Sequence, residues 1–136
     1  MIHSLSAGFG YFLVVFTLGA ILGFVREVLV APLTGSVIAV LMEMPVMIGA
    51  AWFVCRLMIH KFNISDDVNQ RLAMGAFAFC LLMVGELLLS MILQGSDITG
   101  FLRMYELPEN RIGLGGQIAF ALFPVIQRYG TALHER

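Results

Sequence analysis

Leu41-Met42-Glu43-Met44-Pro45-Val46-Met47 sets a carboxylate and a proline in the middle of an apolar run, with no other charge between Thr34 and Arg56. A run of that length and composition reads as a membrane-spanning helix. Glu43 then lies deep in the bilayer, where an ionisable side chain costs ~2.5 kcal/mol or more unless it is paired, protonated or wetted. Pro45 removes a backbone donor and is expected to bend or loosen the helix around residue 41, beside Glu43.

Upstream, Ala7 to Val25 carries no charge, nearly a full span. The apolar run is longer than a signal-peptide core and lacks a basic flank before it, so a retained transmembrane helix is expected. Gly19 and Gly23 form a G-x-x-x-G pair with Arg26 three residues on, a spacing that lets another helix backbone come close. Arg26-Glu27 then precedes Pro32-Leu33-Thr34-Gly35, a turn signal that folds the first two helices into an antiparallel hairpin.

Downstream, Ser65 is the expected N-cap of a third helix, with Asp66 and Asp67 in its first turn. Its apolar part is interrupted by Glu86. Between Gly95 and Arg111, Ile98, Phe101, Leu102 and Tyr105 follow an i, i+3, i+4, i+7 pattern. This predicts a short amphipathic helix in the interface, capped by Ser96 or Asp97 and stopped by Pro108. From Ile112 a fourth helix is expected to lean on its neighbours, because Gly113, Gly115, Gly116 and Pro124 lower its own propensity.

The expected fold is all-α: a four-transmembrane-helix bundle with an amphipathic interfacial helix between helices 3 and 4. It is one integral-membrane domain over residues 1–136, with spans near 6–33, 36–60, 68–94 and 112–130. Composition agrees, at 60% hydrophobic and 12% charged, about half the charge of a soluble domain. A net charge of −1 leaves no footprint for nucleic acid. Cys55 and Cys80 are read as two buried thiols. Arg56, Lys61, Arg71, Arg128 and Arg136 on one side, against Arg26, Arg103 and Arg111 on the other, place both termini in the cytoplasm.

Counting ~1.5 Å per residue from the helix ends puts Arg26 and Gln117 roughly 8 Å deep, Glu86 about 12 Å and Glu43 about 14 Å. Four helices thus contribute to one polar layer. Arg26, Glu27, Glu43 and Glu86 sum to −2 when all are ionised. Either a glutamate holds a proton, or Glu27 faces water, or a cation completes the layer. Arg26 is within reach of Glu43 or Glu86 by snorkelling. Met42, Met44 and Met47 read as packing rather than as a soft-metal site. No metal, no cofactor and no catalytic motif is expected.

Gly23-Phe24-Val25-Arg26-Glu27, Ala31-Pro32, Gly35 and Glu43-Met44-Pro45 together resemble a family of small four-helix bacterial inner-membrane proteins to which no activity is attached. The Gly19–Gly23 stretch leading to Arg26 is also similar to the first helix of dual-topology fluoride channels. Their Gly-Thr-x-x-x-Asn signature is replaced here by Gly35-Ser36-Val37-Ile38-Ala39, with no asparagine following. The resemblance implies the bacterial inner membrane.

The sequence thus favours a non-enzymatic component whose Arg26/Glu43/Glu86 layer binds a proton or small cation. Its partners would be the lipid bilayer and either further copies of itself or other membrane subunits. The alternatives are an assembly subunit in which the layer is inter-helix glue, and a lipid-head-group enzyme with Glu43 as base.

Overall fold

The computed structural model describes residues 2–134, with side chains described for residues 2–128. Arg136, one of the charges in the orientation count, lies outside them. Six α-helices follow in order: α1 (Ile2–Val25), α2 (Ala31–Thr34), α3 (Ser36–Lys61), α4 (Val68–Gln94), α5 (Ile98–Arg103) and α6 (Pro108–His134). A π-helical turn, Arg26–Val30, joins α1 to α2, and a 3-10 turn, Met104–Glu106, joins α5 to α6. Among the described residues there is no strand.

Three stretches are long and apolar enough to cross a membrane: Ile2–Thr34, Ser36–Lys61 and Val68–Gln94. Their outward faces carry exposed Ile21, Phe24, Leu41, Phe53, Leu88 and Ile92. Apolar surface that continuous belongs against lipid tails rather than water. α6 is as long as α4, at 27 residues, but mixes more polar residues into its length.

The π turn is the local feature that the sequence reading lacked. A proline ring crowds the carbonyl four residues before it, and Pro32 would press on Val28 in a regular helix. The widened turn, closed by Ala31 N–H donating to the Arg26 carbonyl, gives the ring room. The helix therefore continues through Pro32 to Thr34, and the chain reverses at Gly35 alone. Gly35 sits at φ +89°, which only glycine adopts freely. α3 in turn runs uninterrupted through Pro45.

Two boundaries differ from expectation. Asp67, not Ser65, caps α4, its carboxylate accepting from Asn69 N–H at 3.1 Å. Pro108 ends the short helical piece, with Leu107 extended before it, and also starts α6, four residues before the expected Ile112, because a first-turn proline loses no hydrogen bond. Asp97 caps α5 as anticipated, accepting from Gly100 N–H at 2.7 Å.

The four long helices stand at the corners of a square. α1 packs on α3 and α4, and α6 packs on the same two, so α1 faces α6 diagonally. The half of the square nearest the termini is solid. Ala7, Tyr11, Cys55, Met74, Ala78 and Phe120 are among its buried residues. The closest backbone approaches are here. A Cβ on Gly8 would lie 2.8 Å from the Met74 carbonyl oxygen, and one on Gly75 would overlap the Ala121 carbonyl. Gly19 and Gly23, the expected contact pair, allow no such approach. Gly19 meets only the Met47 methyl, and Gly23 only the Arg26 guanidinium. Cys80 is exposed rather than buried, while Cys55 is buried.

Candidate functional site

Where the terminal half is full, the opposite half is hollow. A cavity of about 680 Å³ opens among the ends of α1, α3, α4 and α6, with small residues Gly19, Ala20, Gly23, Gly113 and Gly116 in its lining. Gly19 and Gly23, expected to draw helices together, leave volume between them instead. Val15, Leu82 and Phe120 form the floor, and Met104 and Tyr105 of the 3-10 turn lie along the top.

Every residue of the expected polar layer lines this cavity: Arg26, Glu27, Glu43, Glu86 and Gln117. They form two separate pairs. Arg26 Nη1 donates to Glu43 Oε2 at 2.6 Å, joining the π turn to α3. Gln117 Nε2 donates to Glu86 Oε1 at 2.5 Å, joining α6 to α4. Arg26 therefore serves Glu43 and, at 3.3 Å, Glu27; it makes no bond to Glu86. The Arg26 and Glu43 side chains are 26% and 15% exposed, whereas Glu27 is 62% exposed at the rim.

The electrostatic consequence is simple. Arg26 and Glu43 neutralise each other inside the cavity, and Glu27 reaches outward. Among the described residues Glu86, beside Gln117, and Glu109, in the first turn of α6, are left lining the cavity without a cation beside them. The amide partner of Glu86 is itself incompletely satisfied, because the Gln117 Oε1 is buried with no hydrogen-bond partner. Above them Tyr105 donates weakly to the Met83 sulfur at 3.9 Å. Burial pushes the Tyr105 hydroxyl above its usual pKa, and the charge of Glu86 pushes in the same direction. The turn that carries Tyr105 is held by Asn110 Nδ2, donating to the Met104 carbonyl at 2.7 Å.

A second polar cluster, not foreseen as such, seals the terminal half. Tyr11 donates its hydroxyl to the Phe120 carbonyl at 2.7 Å and stacks on the Phe120 ring, centroids 4.0 Å apart. Pro124 explains the bond: it has no N–H to offer the carbonyl four residues back, so Phe120 needs an outside donor. Arg71, 4% exposed, donates to the Ser65 carbonyl at 2.9 Å, to the Pro124 carbonyl at 3.4 Å and to Asp66 at 2.8 Å. The proline was a legible signal for an orphaned carbonyl, while nothing in the sequence marked Arg71 as more than a flanking charge.

Among the described residues no group of three or more His, Cys, Asp or Glu is gathered so as to hold a metal ion. Met44 and Met47 line the cavity, and Met44 fills the gap beside Gly116, which is the packing role expected of them. No protein-family model, curated protein or solved structure matches the chain.

Proposed function

We propose that this is a four-span membrane protein whose interhelical cavity binds a proton or small cation at Glu86. α6 serves as the fourth span, with both termini on the cytoplasmic side of a bacterial inner membrane. In this reading the protein works as a transporter-like or accessory subunit, in a homo-oligomer or beside other membrane subunits. The resemblance of the Gly23–Glu27 and Glu43–Pro45 stretches to small inner-membrane proteins fits that setting. The observation that carries the reading is the charge balance of the cavity, where Arg26 is occupied by Glu43 at 2.6 Å and Glu86 has only an amide beside it. A carboxylate in such a place favours either a proton or a cationic guest.

The second reading is that the layer is glue, and the pairing itself favours it: each of the two bonds ties together neighbouring helices. Glu86→Gln and Glu43→Gln separate the two. Under the binding reading Glu86→Gln stays folded in detergent and loses proton- or cation-linked stabilisation, while Glu43→Gln destabilises by leaving Arg26 only its longer contact with the exposed Glu27. Equal destabilisation by both, with no cation linkage in the parent protein, would establish glue.

A further inference from the structure

We infer that the guest of this cavity is an amphipathic ammonium ion, with an N–H-bearing cationic head and an apolar body, rather than a bare inorganic cation. The inference rests on the reading of Glu86 as a cation site and narrows its ligand. Three observations carry it.

The first is size. About 680 Å³ lies in the middle of the ~300–1,000 Å³ range of small-molecule pockets and far exceeds the room a dehydrated ion needs. The second is the donor set. A hard cation such as Ca²⁺ gathers ~6–8 oxygen ligands, and here one carboxylate is taken by Arg26 while Glu86 stands with a single amide. That amide presents a buried oxygen with no donor of its own. An ammonium head can give an N–H to Glu86, and a turn of the Gln117 amide about its own axis would bring the unmatched Oε1 round to accept another. The third is the wall. Phe16, Phe120, Leu82, Leu89 and Met47 line the space around this polar spot, and aromatic faces and thioethers suit an apolar body beside a cationic head.

The test uses the full chain in lipid nanodiscs and isothermal titration calorimetry with 2-phenylethylammonium. Its neutral isostere 2-phenylethanol, NaCl and KCl serve as comparison probes. Saturable binding of 2-phenylethylammonium is expected, weakened at least tenfold in Glu86→Gln and not matched by 2-phenylethanol. Gly113→Leu supplies a second variant. A Cβ at Gly113 meets nothing within 4 Å, and the residue lines the cavity, so leucine should fill the space without disturbing the fold. It should abolish 2-phenylethylammonium binding and leave the thermal midpoint unchanged or raised. Sodium or potassium binding that is lost in Glu86→Gln but kept in Gly113→Leu, with no 2-phenylethylammonium binding, overturns the ammonium assignment and leaves the cation site standing. Equal 2-phenylethylammonium binding by the parent and Glu86→Gln overturns the assignment. Absence of binding by any of the cations overturns the ammonium assignment and the small-cation site with it, leaving Glu86 at most a proton site.

Discussion

Tyr11 and Pro124 are more than 100 positions apart in the chain, yet one bond makes them interdependent. The Phe120 carbonyl loses its intrahelical donor to the proline and takes the Tyr11 hydroxyl instead. Tyr11→Phe should therefore cost roughly 1–3 kcal/mol, the price of a buried carbonyl left unmatched. Pro124→Ala restores an N–H, so in that background the same tyrosine substitution should cost much less. Chemical or thermal unfolding of the four proteins of this cycle in detergent measures the coupling; strict additivity would refute the explanation. Arg71 offers a parallel contrast. Replacing it with methionine strands the Ser65 carbonyl and should lower stability by roughly 1–3 kcal/mol. Asp66→Asn removes only an exposed partner and should cost under about 1 kcal/mol. Tyr105 supplies a pH signature. Its hydroxyl is held above the ordinary phenol value of about 10, so the unfolded chain releases this proton first and stability falls as pH rises beyond that point. The alkaline absorbance titration of the parent minus that of Tyr105→Phe should leave a late-ionising component, and this component should shift to lower pH in Glu86→Gln.

At the scale of the helices, glycine does two opposite things. Gly75 lets α4 and α6 touch backbone to backbone, so Gly75→Ala drives a Cβ into the Ala121 carbonyl and should block correct assembly. Gly49 meets nothing within 4 Å, so Gly49→Ala should stabilise by up to ~1 kcal/mol through helix propensity alone. Yield of folded protein and thermal midpoint distinguish the two; equal tolerance would mean that α4 and α6 are not so closely packed. The contrast also shows where sequence reading stops. Helix existence, the hairpin at Gly35 and the short helix after Gly95 follow from hydrophobic runs and local breakers, which act within a few residues. Which glycine meets a backbone depends on helix rotation and crossing. For that reason the G-x-x-x-G spacing at Gly19 and Gly23 pointed to a contact where there is a cavity wall. The π turn was hidden likewise: Pro32 was visible, but a widened turn and a chain reversal relieve it equally well on local grounds.

For the molecule as a whole, depth counting brought Arg26, Glu43, Glu86 and Gln117 to one level because rise per residue is fixed in a helix. It could not assign partners, since these depend on side-chain direction around each axis. Glu86 thus went to Gln117 rather than to Arg26. The alternating course of the four long helices makes a simple topological prediction. With the exposed Cys80 replaced by serine, cysteines introduced at Asn69 and Glu106 should react with an impermeant maleimide from opposite faces of sealed vesicles. Reaction of both from one face would rule out the crossing by α4.

The stacked rings of Tyr11 and Phe120 give the cavity a bottom, and a bottom has a kinetic meaning. A chamber closed at one end exchanges with a single compartment: it can store, sense or present a guest, but nothing flows through it. Through-passage would require the two rings to part and the hydroxyl to release its carbonyl in the same event. On the proposed cation-site reading, the throttle on any flux would then be this aromatic plug, about one helical turn from the Glu86–Gln117 pair, so occupancy and throughput would be tuned by different residues.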